Sequence, residues 1–275
     1  MLAPSTFACR RAQVAQARGP RSSARYLEGD LTTGGLEARS SCHLGSLIVH
    51  QPSSIIRNPF SSLHFHHAPT YAMEVLLGIT GKDFTLIAAS KAAMRGATIL
   101  KAADDKTRQL NKHTLMAYSG EAGDTVQFAE YLQANAQLYS MRNETDLSPS
   151  ALAHFVRGEL ASSLRSRKPY NVNLLLGGVD PITHKPSLYW LDYLASLAEV
   201  PYAAHGYAQY YCLSILDKHH HPDINLHQGI VILTKCTDEL KRRMPIDFKG
   251  MTVKAVTKDG IVDIEFNDDK VVKSA

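Results

Sequence analysis

A lysine that follows two acidic residues is the side chain in this sequence best suited to assist a reaction. Lys106 comes directly after Asp104 and Asp105. A lysine can stabilise developing charge or transfer a proton, but only when a nucleophile lies within hydrogen-bond reach. Without such a partner, the acidic neighbours favour a structural role. We expect Lys106 to be paired with Asp104 and Asp105.

The cysteines offer a second kind of nucleophile. The chain has four, and only Cys212 and Cys236 follow residue 72. No two of them form a C-x-x-C motif, which favours free thiols in a reducing compartment over a disulfide framework. Cys212 lies between Tyr211 and Leu213 in an apolar stretch. This setting is typical of a buried, unreactive thiol.

The histidines and glycines predict neither a metal nor a cofactor. His219–His221 fall between two predicted helices, where we expect a solvated loop, because a metal site needs ligands that converge from elsewhere. His205 precedes Gly206 and is predicted to lie in a packed loop. Gly177 and Gly178 lack the lysine and the helix start that a phosphate-binding loop requires.

Charge divides the chain near Met73. Residues 1–72 contain seven arginines, no lysine and three acidic residues, so they carry the whole net charge of +4. The neutral remainder gives no electrostatic reason to expect nucleic acid or an anionic membrane as a partner. No apolar run approaches the 18 residues of a membrane span.

The first 72 residues have the composition of a disordered extension. They are rich in Ser, Arg, Pro and Ala, and cannot bury enough apolar surface to offset the entropy of ordering. A mitochondrial transit peptide and a propeptide are both compatible with this composition. We favour a third interpretation, an upstream extension of the reading frame with Met73 as the working start. The predicted domains are therefore 1–72 and 73–275.

After Met73, hydrophobic periodicity predicts blocks of strands and helices. The second predicted helix has the clearest signal, with Ser148 as N-cap and Pro149 at its first position. The predicted strands are 75–80, 84–89, 113–118, 172–179, 187–194, 252–257 and 261–266, and the predicted helices begin near 124, at 149, at 207 and at 226. The first helix is expected to be capped by Asp124 or Thr125 and to turn Val126, Ala129, Leu132, Ala136 and Tyr139 to one side. The second helix is expected to end at Arg165, Arg167 and Lys168. This order indicates an α+β fold whose sheets are covered by helix pairs.

Four stretches of this sequence form a distinctive series: MEVLLGIT at 73–80, EAGDTVQFAEY at 121–131, NVNLLLGG at 171–178 and AHGY at 204–207. They resemble eukaryotic 20S proteasome beta subunits of the non-catalytic beta-4 type, called beta type-2 in animals. Each stretch is moderate evidence, but four in the same order at matching spacing are specific. The similarity extends from Met73 to about Phe266.

The resemblance implies an N-terminal-nucleophile hydrolase fold, a four-layer αββα sandwich of two antiparallel sheets between helix layers. It also implies a place in a seven-membered beta ring that stacks on the opposite beta ring and on alpha-ring subunits. Such a particle degrades ubiquitin-tagged and unfolded proteins in the cytoplasm and nucleus. Helices are expected to face the alpha ring, and the tyrosines at 202, 207, 210 and 211 suit interfaces between subunits.

Active members of the family use an N-terminal threonine, released by cleavage of a Gly-Thr bond, together with a lysine and an aspartate. No glycine in this chain precedes a threonine. By the resemblance, the nucleophile position falls on Glu74, the aspartate on Ser90 and the lysine on Lys106. The Ser-Gly-Ser segment of active members is replaced by residues 205–207. We therefore expect no catalytic residue in this subunit, with these three positions as a degenerate site.

Two other functions were compatible with the sequence. An active threonine protease with an unusual start would require a mature N-terminal threonine. A self-assembling mitochondrial relative of bacterial type would require the arginine-rich segment to direct import. The beta-4-like stretches favour the structural subunit over both.

Overall fold

A computed structural model describes residues 73–95, 98–245, 247–267 and 270–271. The predicted extension over 1–72 lies outside these residues, and so does the end of the C-terminal tail. The strands in chain order are β1 (Leu76–Thr80), β2 (Phe84–Ser90), β3 (Ala93–Arg95), β4 (Thr98–Lys101), β5 (Thr107–Asn111), β6 (Thr114–Gly120), β7 (Val172–Val179), β8 (Pro186–Leu191), β9 (Leu197–Glu199), β10 (Tyr202–His205), β11 (Met251–Thr257), β12 (Gly260–Ile264), β13 (Phe266–Asn267) and β14 (Lys270–Val271). The helices are α1 (Ala122–Asn143), α2 (Pro149–Ser163), α3 (Ala208–His219) and α4 (Leu226–Arg243).

Two antiparallel five-stranded sheets form the body of the described chain. The first has the order β10-β1-β2-β11-β12 and the second the order β5-β6-β7-β8-β9. The short pairs β3-β4 and β13-β14 form separate hairpins. Every pairing is antiparallel, as in a fold assembled from hairpins and longer crossovers. This arrangement confirms the predicted α+β class.

The strand periodicity sorts apolar side chains between two faces of the first sheet. Leu77 and Ile79 of β1 pack in a cluster with α3 and α4. Leu76, one position out of phase, packs with Leu115 and Leu175 of the second sheet. A third cluster joins the other face of the second sheet to α1 and α2. The layers are therefore α3/α4, first sheet, second sheet and α1/α2, the αββα sandwich that the resemblance implied.

The sheets approach closely where glycine stands in a strand. A Cβ added at Gly78 would lie 2.8 Å from Cδ2 of Leu188 in the second sheet. One added at Gly177 would lie 2.6 Å from Cγ2 of Thr85 in the first. Thr85 also donates its hydroxyl to the carbonyl of Gly178, at 3.1 Å. The two glycines let the sheets approach closely, and this hydrogen bond joins them across the interface.

The predicted start of α1 was wrong, and its predicted face was right for Ala129, Leu132 and Ala136 but wrong for Val126 and Tyr139. The helix begins at Ala122 with Glu121 as N-cap, and no side chain caps it. Asp124 instead accepts a hydrogen bond from the backbone N–H of Asn171, at 3.2 Å. Val126 and Tyr139 are 45% and 40% exposed. The buried face consists of Asp124, Thr125, Phe128, Ala129, Leu132 and Ala136.

Other elements differ from their predictions mainly at the ends. The Ser148 side chain caps α2 as predicted, accepting from the N–H of Ala151 at 3.2 Å. The helix stops at Ser163, however, so Arg165, Arg167 and Lys168 lie beyond it. Strand β8 stops at Leu191, because residues 192–195 form a turn around the Asp192 carboxylate. The short strands β3, β4, β5, β9 and β10 were not predicted.

Candidate functional site

The three positions singled out by the resemblance lie together at one end of the first sheet. Glu74 precedes β1, Ser90 ends β2 and Lys106 precedes β5. The backbone N–H of Ser90 donates to the carbonyl of Val75 at 2.9 Å. The N–H of Val75 in turn donates to the Ser90 hydroxyl at 3.3 Å. Pairing of β1 with β2 therefore holds Glu74 beside Ser90 although 15 residues separate Val75 from Ser90.

Lys106 is 3% exposed and is anchored by carbonyl oxygens. Its Nζ donates to the carbonyl of Ser90 at 2.9 Å and to that of Ala92 at 2.7 Å. Two carboxylates lie at ion-pair distance, Glu74 at 4.0 Å and Asp104 at 3.9 Å. Burial lowers the pKa of Lys106, while Glu74 and Asp104 oppose this change.

The predicted pairing of Lys106 was right for Asp104 and wrong for Asp105. Asp105 forms an ion pair at 2.9 Å with Lys254 of β11 instead. Its other carboxylate oxygen accepts from the N–H and the hydroxyl of Thr107. The two consecutive acids therefore have different lysine partners.

Glu74 lies against a backbone donor as well as against the lysine. Its Oε2 accepts from the N–H of Gly120 at 3.2 Å. Burial raises the pKa of the Glu74 carboxyl group to about 7, and both Lys106 and the Gly120 N–H oppose this rise. Desolvation of the charged form is therefore larger than the favourable contacts that the site provides.

Gly120 adopts a backbone conformation that other residues rarely take. Its φ is +139°, and a Cβ at this position would lie 2.2 Å from the carbonyl oxygen of Asn171. Glycine alone combines such a φ with so close an approach of another backbone. This conformation directs the Gly120 N–H toward Glu74 at the end of β6. The predicted strand 113–118 stops short of Gly120, and sequence reasoning missed this contact.

A cavity of about 470 Å³ opens beside the pair. Its walls come from the β3-β4 hairpin, the end of β6 and the first turn of α1. The lining residues are Glu74, Ala93, Met94, Arg95, Leu100, Asp104, Lys106, Tyr118, Ser119, Gly120, Glu121, Ala122, Thr125 and Val126. The β3-β4 hairpin was not predicted, because its strands are short and its few apolar residues, Met94, Ile99 and Leu100, do not form a long alternating run.

The arrangement brings an acid and a base together but presents a carboxylate where nucleophilic catalysis needs a hydroxyl or a thiol. The Ser90 hydroxyl is buried and accepts from the N–H of Val75. The Thr125 hydroxyl donates to the carbonyl of Ala122 at 3.1 Å. Glu74 and Lys106 thus lie at ion-pair distance from each other, and each also binds backbone groups. That they are remnants of a catalytic site stays a prediction.

The remaining sequence candidates lie apart from this cavity. His205 is buried and its Nε2 donates to the carbonyl of Leu174 at 3.0 Å, while burial lowers its pKa to about 4. Cys212 is buried between α3 and α4, and the neighbouring Cys236 thiol, together with burial, raises its pKa. Both residues are packed, as predicted, but His205 ends strand β10 and does not lie in a loop.

The His219–His221 segment is only partly the solvated loop that was predicted. His220 Nε2 lies 2.8 Å from the carbonyl oxygen of Thr80, and the His220 ring packs against Tyr202. Within the described ranges, no group of three His, Cys, Asp or Glu side chains is arranged to hold a metal ion. None of the described helices is long and apolar enough to cross a bilayer.

Comparisons with known proteins match the part of the chain that contains this fold. The model of the family described as "Proteasome subunit" matches residues 74–256. A "Probable proteasome subunit beta type-4" of Neurospora crassa is 91% identical over 203 residues, which are 74% of this chain and 100% of that protein.

More distant relatives show the same pattern. The "Proteasome subunit beta type-4" of Saccharomyces cerevisiae is 55% identical over 193 residues, 70% of this chain and 98% of that protein. The "Proteasome subunit beta type-2" of Dictyostelium discoideum is 42% identical over 197 residues, 71% of this chain and 98% of that protein.

Proposed function

The chain belongs to the proteasome subunit family as a eukaryotic beta-4 type subunit, and we propose that it is a non-catalytic structural subunit of the 20S core particle. Membership of this family makes it a component of a protease complex that assembles with other proteasome subunits. The finer proposal is that this chain contributes to assembly and to the wall of the chamber, while other subunits cleave the substrates.

The observation that carries the proposal is the carboxylate of Glu74 beside Lys106. In active members, the resemblance places a threonine hydroxyl at this position, with the lysine as its helper. Here the lysine is 4.0 Å from a carboxylate and donates to two backbone carbonyls. A carboxylate cannot start acyl transfer by the route that a hydroxyl and an amine provide. The geometry therefore supports a subunit without its own peptidase activity.

We further propose that the chain occupies a seven-membered beta ring, with contacts to the opposite beta ring and to alpha-ring subunits. Exposed side chains of α1 and α3 support an interface role, among them Met141 and Tyr210, each 74% exposed. The particle would degrade ubiquitin-tagged and unfolded proteins in the cytoplasm and the nucleus, without nucleic acid, membrane or cofactor as partner.

The proposal is tested on the native complex. Size-exclusion chromatography followed by mass spectrometry should find the chain in a large particle with other proteasome subunits; recovery only as a free monomer would refute the structural role. An electrophilic peptide probe should label catalytic subunits of the same particle, which serve as the positive control, and leave this chain unmodified. Covalent labelling of this chain, together with a threonine at its mature N-terminus, would show it to be a protease.

A further inference from the structure

The Glu74 carboxylate is held by two donors that belong to different parts of the fold. Gly120 N–H lies at the end of β6, and the Lys106 ammonium lies just before β5. We propose that these donors form a carboxylate-binding pocket at the inner end of the cavity, which the chain fills with its own Glu74 side chain. This inference goes beyond the proposed structural role and does not depend on assembly.

Both donors are fixed independently of Glu74. The close approach of Asn171 and the φ of +139° hold the Gly120 peptide in place. Lys106 Nζ is held by the carbonyls of Ser90 and Ala92, at 2.9 and 2.7 Å. An ammonium has three N–H bonds, so one remains to face the carboxylates. The pocket is therefore preorganised, and we expect it to survive the loss of the Glu74 side chain.

The pocket is suited to a small monocarboxylate. The carboxylate oxygens of Glu74 lie 3.2 Å from the Gly120 nitrogen and 4.0 Å from Lys106 Nζ, so one ligand oxygen can face each donor. The adjoining cavity of about 470 Å³ gives such a ligand a route from solvent. Backbone N–H groups that converge with a cation are a common means of capturing carboxylates.

Charged groups around the pocket limit what it can accept. Asp104 and Glu121 line the same cavity as Lys106, and Arg95 extends from the β3-β4 hairpin. Lys101 of β4 neutralises Asp104 through an ion pair at 2.9 Å. Because the acids oppose a second negative charge, a monoanion such as acetate is favoured over a dicarboxylate or a phosphate.

The experiment removes the built-in occupant and offers a replacement. In the full chain, Glu74→Ala should leave Gly120 and Lys106 without their carboxylate. Acetate should then bind with a Kd in the range of roughly 1–30 mM, as expected for a ligand of so few atoms. Binding is measured by isotope-detected NMR of labelled acetate and by the acetate dependence of the melting temperature. The unaltered chain should show no saturable binding, because Glu74 occupies the site.

Matched variants distinguish this pocket from other cationic surfaces. Glu74→Ala/Lys106→Met should lose acetate binding at least tenfold. Glu74→Ala/Arg95→Met removes a cation that lines the same cavity but has no contact with Glu74 among the described interactions, and should bind acetate as Glu74→Ala does. Glu74→Gln keeps the pocket filled with a neutral side chain and should not bind.

Two results would overturn the pocket. The first is a folded Glu74→Ala chain without saturable acetate binding, and the second is equal binding by the unaltered chain. Should Glu74→Ala fail to fold, the Gly120 amide proton of the unaltered chain provides the measurement. Its resonance should lie downfield at pH 8.5 and move upfield as Glu74 becomes protonated, whereas in Glu74→Gln it should stay constant. A resonance that does not move in the unaltered chain would also refute the proposal. These outcomes are independent of whether the chain enters a particle.

Discussion

At the scale of single residues, burial and charge oppose each other at Glu74. The residue is only 9% exposed and accepts one hydrogen bond, from the backbone N–H of Gly120. Lys106 lies at the edge of ion-pair distance. These contacts do not compensate fully for desolvation, because the pKa of Glu74 rises to about 7. The folded chain therefore holds a proton on Glu74 more tightly than the unfolded chain does.

This difference makes stability depend on pH in a defined direction. Because the pKa of Glu74 is higher in the folded chain, protonation of Glu74 stabilises the fold. This stabilisation is complete below the ordinary pKa of 4.5 and is lost as pH rises through about 7. We expect the free energy of unfolding of the unaltered chain to fall relative to that of Glu74→Gln between pH 5 and pH 8, by on the order of 3 kcal/mol. Urea unfolding at several pH values measures the difference.

Glu121→Gln is the control for this prediction. Glu121 lines the same cavity, but its side chain is exposed. Its substitution should leave the pH profile of the unaltered chain unchanged. If Glu74→Gln and the unaltered chain gave parallel profiles, the desolvation of Glu74 would be much smaller than the structure indicates.

At the scale of elements, the N-termini of α1 and α2 differ in how their first residues are held. Helix α2 uses a side chain, because the Ser148 hydroxyl accepts from the N–H of Ala151 at 3.2 Å. Helix α1 has no side-chain cap. Its Asp124 carboxylate is used instead to hold the N–H of Asn171, which joins α1 to the segment before β7.

The cap of α2 should therefore be measurable as a local contribution to stability. Ser148→Ala removes the acceptor for the Ala151 N–H and is expected to lower the free energy of unfolding by about 1 kcal/mol. Ser150→Ala, at an exposed position within the same helix, should be neutral or slightly stabilising. Thermal and urea unfolding of both variants test this, and equal effects would show that the Ser148 cap adds nothing to stability.

At the scale of the whole fold, the contact between the two sheets depends on residues without side chains. Gly78 faces Leu188, and Gly177 faces Thr85 and Ile87 across the sheet interface. The apolar residues around them form the central cluster, which joins both sheets. Because packed interiors hold few voids, even one added methyl group must displace a neighbour.

Gly177→Ala is the corresponding prediction. The new Cβ would lie 2.6 Å from Thr85 Cγ2 and 2.9 Å from Ile87 Cδ1, so the sheets or their side chains must shift. We expect a loss of about 1–3 kcal/mol in the free energy of unfolding. Gly158→Ala in α2, where nothing lies within 4 Å of the added Cβ, should be neutral or stabilising. If Gly177→Ala left the free energy of unfolding unchanged, the sheets would be packed more loosely than these distances indicate.

Much of the fold was accessible from local patterns. The hairpin over residues 75–89, the buried strand β7, the capped α2 and the start of α4 follow from periodicity and turn residues that act over a few positions. The short strand β10 was missed because its partner, β1, lies far away in the chain. Strand β9 pairs with the neighbouring β8, but with three residues it is too short to show a periodicity. The first turn of α1 was misjudged because Asp124 has a tertiary partner in Asn171.

The candidate site divides in the same way. The sequence by itself determined that a carboxylate stands at position 74, that no glycine precedes a threonine and that Lys106 follows two acids. Only the tertiary structure decided that Glu74, Ser90 and Lys106 meet, that Asp105 turns to Lys254, and that Gly120 donates to Glu74. The physical reason is that residue types are local properties, whereas burial and hydrogen-bond partners arise from strand pairing and sheet packing between distant segments.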